Sequence, residues 1–398
     1  MKIRSLLSVL ALALIVACEV PPEPAPAAPA RALTPEEANN LLDLGRGASV
    51  ISRTGELSLE QSALHPIDGI RQSFWASPPR SSSDTLVFAL AAPSRIDRIG
   101  ITPTANGAPP LRVRFERSSD GKSWTEVAVL DVPSGPSPFY ANMPPFEAES
   151  LRVTTLDVNT EFALIHTVYA SGAELRPPNT RDFSGCWTIN GIPARFEQTG
   201  SHITGTIATT PPTWIEGASN GRVTKLTWTQ GPTWGSAMVA MPPDERTLTG
   251  TMFFDIVYPE HQGPSWFGTR CSDATGVAVP KDFPARALES AGFWSMHGLI
   301  FDERDQLVED ASRATLDALA AATAKGRFRI LSHDFLTQDR AENRRHAKAR
   351  LASLRAVLQK RGVDLTRIEL GVAPDPEEWV VAQVQRLLWT RIDLERAP

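Results

Sequence analysis

The chain has 398 residues, which at roughly 100–200 residues per domain excludes a single small fold. Apolar residues make up 42% and charged residues 21% of it, ordinary for globular protein and incompatible with wholesale disorder. A formal net charge of −5 argues against a nucleic-acid partner, which would favour a basic chain.

The chain opens with Lys2 and Arg4, followed by an apolar run from Leu6 to Val16 broken only by Ser8. A bilayer span needs roughly 20 apolar residues, so this shorter run reads as a signal peptide over 1–17. The run ends Ile15-Val16-Ala17-Cys18. This resembles the bacterial lipobox, and the alternative is an ordinary signal peptide with a chance cysteine. The resemblance implies that Cys18 becomes the N-terminus and carries fatty acyl chains such as palmitate. Glu19, rather than an aspartate, follows it, which in the sorting rule of enteric bacteria implies the cell outer membrane, with a periplasmic body. Residues 18–35 then form a Pro/Ala-rich linker. Its 21–32 stretch, P-P-E-P-A-P-A-A-P-A-R-A, is extended and reaches ~35–40 Å at ~3.1 Å per residue.

The chain holds three cysteines. With Cys18 taken by lipid, Cys186 and Cys271 remain, and leftover cysteines outside the cytoplasm usually pair. No other ligands stand at zinc spacing, so the sequence nominates no metal and no cofactor.

Residues 36–174 carry short β-type runs: Leu86–Leu90, Ile96–Ile101, Leu111–Phe115, Trp124–Val129 and Leu151–Thr155. Turn residues separate them, among them Asp120-Gly121, a strong hairpin signal. Asn40-Leu-Leu, Gly47-Ala-Ser, Asp68-Gly69, Trp75, Ile96-Asp-Arg-Ile99, Leu151-Arg-Val153 and above all Ser118-Ser-Asp-Gly-Lys-Ser-Trp124 resemble a discoidin-like (coagulation-factor type C) domain. The resemblance implies an all-β jelly-roll sandwich that binds sugars, lipid headgroups or proteins through loops at one end. Asp68 and Trp75 are candidates for a sugar site, with a structural role, Trp75 in the core, as the alternative.

Residues 179–272 repeat short strands with T-G-T turns: Phe183–Trp187, Ala194–Gly200, Ile203–Thr206, Leu226–Trp228, Leu248–Met252 and Trp266–Arg270. They resemble the small antiparallel β-barrels of lipocalin-like or avidin-like type. An eight-stranded barrel has room for one small ligand or for a filled interior. Cys186 in the first strand and Cys271 in the last would be neighbours in such a barrel.

Residues 285–396 change character. Strand candidates at Leu299–Phe301, Phe328–Leu331, Ile368–Val372 and Leu387–Leu394 alternate with helical patterns. One helix stops at Gly326. The next starts at Asp339-x-x-Glu342, continues through Ala347, Leu351, Leu354 and Leu358, and ends at Gly362. The order βαβαββ is an α+β sandwich. Leu299-Ile-Phe-Asp302, Ser332-His-Asp334, Asn343, Arg350, Arg367-Ile, Gly371 and Arg391-Ile-Asp-Leu394 resemble the OmpA-like peptidoglycan-binding domain. The spacing from Asp334 to Asn343 is longer than usual by a residue, and His346-Ala347 replaces the usual Leu-Ser.

This resemblance implies binding to the diaminopimelate of the peptidoglycan stem peptide, a zwitterion, through Asp334, Asn343, Arg350 and Arg391. Asp334 would accept from the ligand ammonium, and Arg350 would hold its carboxylate through a planar fork. The alternative is an internal Asp–Arg salt bridge. The helix from Arg340 to Arg361 is strongly basic, a solvated face or a contact for anionic polymer or lipid headgroups. No H-E-x-x-H, G-x-S-x-G or G-x-x-x-x-G-K occurs, so the sequence nominates no enzyme. Two functions remain in view. The first is an outer-membrane lipoprotein that binds peptidoglycan, with β domains for carbohydrate or an envelope protein. The second is a carbohydrate-binding, adhesin-like lipoprotein whose last domain no longer binds.

Overall fold

The computed structural model describes residues 39–397 except 71, 80–82, 105–109, 134, 136, 159–160, 255–260, 273–277, 280–281, 338 and 375–382. The proposed signal peptide, Cys18 and the linker lie outside the described residues.

The first lobe is a seven-stranded antiparallel sheet in the order β2-β7-β3-β6-β4-β5, with β1 on β3. These strands are β1 (Ser49–Arg53), β2 (Trp75–Ala76), β3 (Thr85–Pro103), β4 (Pro110–Ser118), β5 (Thr125–Asp131), β6 (Phe139–Val158) and β7 (Leu164–Glu174). Two of the runs expected separately, Leu86–Leu90 and Ile96–Ile101, are parts of one long strand, β3, whose pairing shifts between Ala89 and Ser94. The expected hairpin joins β4 to β5. The Asp120 carboxylate accepts from the amides of Lys122 and Ser123, and Gly121 takes the left-handed φ of 69° that the turn needs.

The second lobe is a closed barrel built from β8 (Gly185–Ile189), β9 (Ile192–Thr199), β10 (His202–Ile207), β11 (Thr213–Ser219), β12 (Val223–Gln230), β13 (Thr233–Ala240), β14 (Thr247–Phe254) and β16 (Trp266–Arg270). Each pairs with the next, and β16 closes the ring on β8. A short β15 (His261–Gln262) rides on β14. Strands approach closely here: a Cβ on Gly217 would stand 1.9 Å from the Lys225 carbonyl oxygen. The interior is filled by Trp187, Phe196, Ile215, Trp228, Leu248 and Trp266 among others, so the filled-interior alternative holds. Cys186 and Cys271 form a disulfide with Cα atoms 5.2 Å apart.

Side-chain alternation explains how this barrel meets its neighbours. On β12, Leu226 and Trp228 point inward to the barrel core. Val223, at an odd position, points outward and joins the core of the first lobe. Met238, Ala240 and Phe253 do the same.

The third lobe is a four-stranded sheet in the order β17-β20-β18-β19, from β17 (Phe293–Ser295), β18 (Phe328–His333), β19 (Ile368–Val372) and β20 (Arg391–Arg396). β18 and β19 are parallel, and β20 runs antiparallel between β17 and β18. Its helices are α1 (Phe283–Ser290), α2 (Arg313–Thr323), α3 (Arg340–Lys360) and α4 (Gln383–Trp389). Asp339 caps α3 by accepting from Ala341 and Glu342.

The structure corrects two strand assignments. The opening strand is Phe293–Ser295, because these residues pair with Asp393–Glu395. Leu299 instead enters the lobe's core, and Phe301 makes only an isolated bridge to Leu307. Leu387 is helical, not extended, so the order is βαβαβαβ. The cause is tertiary: Val384 and Leu388, spaced four apart on α4, are buried in the core shared with the first lobe and the barrel.

Candidate functional site

The loop end of the first lobe is set by strand registers. Pro110 pairs with Val158, Arg112 with Asp131 and Asp157, and Thr85 with Thr154. The ends of β3, β5 and β6 and the starts of β4, β6 and β7 therefore lie at one end of the sandwich. The segment before Trp75 joins them, since the amide of Leu57 donates to Ala76 and that of Ser77 to Ala163. Leu57 and Leu111 are exposed there. Arg112 Nε donates to Asp157 Oδ2 at 2.5 Å, and both side chains are about half exposed. The chain enters and leaves the lobe at the opposite end, where Ser94 pairs with Glu174.

Asp68 and Trp75 are placed in structural roles. Both are fully buried. Trp75 donates its indole N–H to the Gly55 carbonyl at 3.0 Å. Asp68 accepts from Ser73, the Ile70 amide and Gln262 of the barrel. Burial pushes its carboxyl pKa above the ordinary value, against His65 and these donors.

The barrel docks along β1 and against the end of β7. Arg222 forks onto Glu174 at 2.5 and 2.6 Å. The guanidinium of Arg53 lies 3.7 Å from the centre of the Phe267 ring, and the Val50 amide donates to Thr249.

The third lobe brings together some of the residues expected there. Arg350 Nη1 stands 2.7 Å from Asp334 Oδ2, and the Asp334 side chain is completely enclosed. Burial raises the Asp334 pKa, with Arg350 pulling the other way. Arg350 Nε donates to Asp305 Oδ1 at 2.9 Å. The other oxygen of Asp305 lies 2.6 Å from His346 Nδ1. Asp305 is the residue that the sequence did not single out. Its left-handed φ of 58° aims its carboxylate across the chain at α3, and nothing local in the sequence marks that.

Asn343 directs its side-chain hydrogen bonds to Thr337. It accepts from the amide and hydroxyl of Thr337 and donates to the Thr337 carbonyl, which ties down the turn before α3. Arg391 is buried beside Asp393, donating to both carboxylate oxygens at 3.0 and 3.1 Å. His333 and Ser295 complete that cluster. Burial opposes ionisation of Asp393, yet Arg391, His333 and Ser295 together hold its carboxyl below the usual range.

A second residue absent from the expectations comes from the barrel. Lys225, outward on β12, donates from Nζ to the carbonyls of Leu387 at 3.3 Å and Thr390 at 3.0 Å. Desolvation and the cations Arg350 and Arg391 push its pKa down to about 8, while Asp334 pulls it up. The same junction holds Glu216, which binds His202 at 2.8 Å and accepts from the buried indole of Trp294. Among the described residues, no group of three or more His, Cys, Asp and Glu could hold a metal, and no helix is long and apolar enough to cross a membrane.

Residues 49–168 match the family model described as the F5/8 type C domain. The first lobe is a discoidin-like domain. Solved structures similar to it include the C-terminal domain of a Bacteroides fragilis chitobiase, at 22% identity over 33% of this chain and 96% of that one, with a TM-score of 0.31. A family 32 carbohydrate-binding module from Clostridium perfringens, in complex with GalNAc-β-1,3-galactose, shares 14% identity over 33% of this chain and 99% of its own, at a TM-score of 0.30. The family 32 module of C. perfringens NanJ, in complex with galactose, shares 19% over 33% and 97%, at 0.28. No curated protein matches the chain.

Proposed function

We propose that the protein is a carbohydrate-binding protein of a bacterial cell surface, tethered to the outer membrane through Cys18, with its ligand taken at the loop end of the discoidin-like lobe. The match of residues 49–168 to the F5/8 type C family carries this reading. The placement of that end supports it. The barrel contacts named above come from Val50, Arg53, Asp68 and Glu174, which leaves Leu111, Arg112 and Asp157 facing outward. The exposed Arg112–Asp157 pair offers charged donors and acceptors to sugar hydroxyls. Titration of the full chain with galactose- and N-acetylgalactosamine-terminated oligosaccharides tests the reading. A sugar bond to a charged group contributes ~1.5–3 kcal/mol, so Arg112→Ala should weaken binding about tenfold to a hundredfold.

A second reading concerns the third lobe: binding of peptidoglycan through the stem-peptide diaminopimelate. Its support is the resemblance of Ser332-His-Asp334, Asn343 and Arg350 to the OmpA-like pattern. In the structure Arg350 is paired with Asp334 and Asp305, so a ligand would have to displace both contacts. Sedimentation of the full chain with purified sacculi tests it.

A further inference from the structure

Helix α3 separates its charges by flank. Its buried side is Asn343, Ala347, Leu351, Leu354 and Leu358, spaced for one face at 3.6 residues per turn. To one side of that face lie His346, Arg350, Ser353 and Lys360, and the acidic loop 302–310 packs along them. Asp305 holds His346 and Arg350, the Leu307 amide donates to Ser353, and Glu309 pairs with Lys360 at 2.9 Å. To the other side lie Arg344, Arg345, Lys348 and Arg355, all exposed. Helical geometry places these four within an arc of about 100° and a length of about 16 Å. The other side chains of that arc are Ala341, Ala352 and Gln359. Glu342, the only acid in α3, reaches Arg345 at 3.5 Å. Among the described residues, no acidic partner engages Lys348 or Arg355. The neighbouring strand supplies none: Ile368 and Leu370 of β19 enter the core under α3, and Glu369 lies on the other sheet face beside Arg329. A rigid row of cations thus stands on a chain whose net charge is −5.

We propose that this row binds an acidic polysaccharide, a uronate-type polymer with one carboxylate per sugar, laid along α3. The row is long and narrow, which suits a linear polyanion. An anionic bilayer is the competing partner. Helices that bind one lay Trp, Phe or Leu into the headgroup boundary beside their cations, and none of the large exposed apolar side chains among the described residues lies in α3. The site is separate from the loop end of the discoidin-like lobe, and it leaves the Asp334–Arg350–Asp305 ion pairs intact.

The test is titration of the full chain with polygalacturonate at low ionic strength, with dextran as the neutral polymer and phosphatidylglycerol vesicles as the anionic surface. Wild type should bind polygalacturonate and not dextran. Lys348→Ala and Arg355→Ala should each weaken binding about fivefold, the effect of one charge pair at contact in water, and together roughly 25-fold. Both positions are exposed, so the fold should survive, and circular dichroism checks that. Lys360→Ala removes the same charge from the acidic flank and should change affinity by less than about twofold. Added salt should weaken wild type more steeply than the double variant. Absence of binding by wild type, or an equal loss with Lys360→Ala, would overturn the proposal. Tighter binding to the vesicles, lost in the same variants, would overturn it in favour of lipid.

Discussion

Arg222, on the turn into β12, grips Glu174, the last residue of β7, with both ends of its guanidinium at 2.5 and 2.6 Å. This fork joins the discoidin-like lobe to the barrel across the chain. It is charge-assisted and bidentate, the stronger kind of hydrogen bond. The Glu174 carboxyl is held below its ordinary pKa by Arg222. Arg222→Ala should destabilise the protein by ~1–3 kcal/mol, since Glu174 would be left partly buried without its partner. Chemical denaturation of the two proteins measures this, and an unchanged midpoint would mean that the fork contributes nothing.

Asp43 gives a pH dependence of definite sign. Its carboxylate is buried and accepts from the Gly45 amide. Desolvation, aided by nearby Asp68, raises its pKa to about 7. The unfolded value lies near 3.9, so the native state binds the proton more tightly. This group's contribution to stability is therefore full below about pH 4 and is lost as pH rises through 7. Asp43→Asn keeps an acceptor for Gly45 but cannot ionise. It should be more stable than wild type above pH 7, and the difference should shrink toward pH 5. Thermal midpoints across that range read it out.

The disulfide closes an 85-residue separation, which in the chain-entropy account contributes about 4 kcal/mol. Reduction, or Cys186→Ser with Cys271→Ser, should lower barrel stability on that scale. The exported, denatured but unreduced protein should show no titratable thiol from this pair.

Glu216 is enclosed between His202 and the Trp294 indole. Glu216→Leu leaves both donors without an acceptor in the interior, which costs about 1–3 kcal/mol. Glu216→Gln keeps an acceptor and should lose less. Hydrogen exchange at β17 should rise in the leucine variant if the third lobe loosens from the barrel.

Local patterns were legible in the sequence, and long-range ones were not. The Ser118–Trp124 turn identified the first lobe because its chemistry is self-contained, one carboxylate and the amides just after it. Gly326 and Gly362 ended helices as read, each with a positive φ. The strands β11 and β13 escaped because the barrel is covered from outside. On β13, Ala237 and Val239 face the barrel interior while Met238 and Ala240 face the first lobe, so the strand has no polar alternation to betray it. The same shared core turned Leu387 from a strand residue into a helical one. Lys225 and Asp305 matter only through partners far along the chain, which no spacing rule reaches. Asp334 and Arg350 were legible as partners, and the structure pairs them with each other in the internal salt bridge given as the alternative to a ligand site. Asn343 and Arg391 bond within their own lobe.

The central claim is that carbohydrate binds at the loop end of the discoidin-like lobe. Hydrogen–deuterium exchange of the full chain, with and without saturating galactose-terminated oligosaccharide, tests it most directly. The account predicts protection around Leu57, Leu111–Arg112, Asp131 and Asp157–Phe162, with the barrel and third lobe unchanged. Protection confined to the barrel or the third lobe, or no protection with any oligosaccharide, would contradict it.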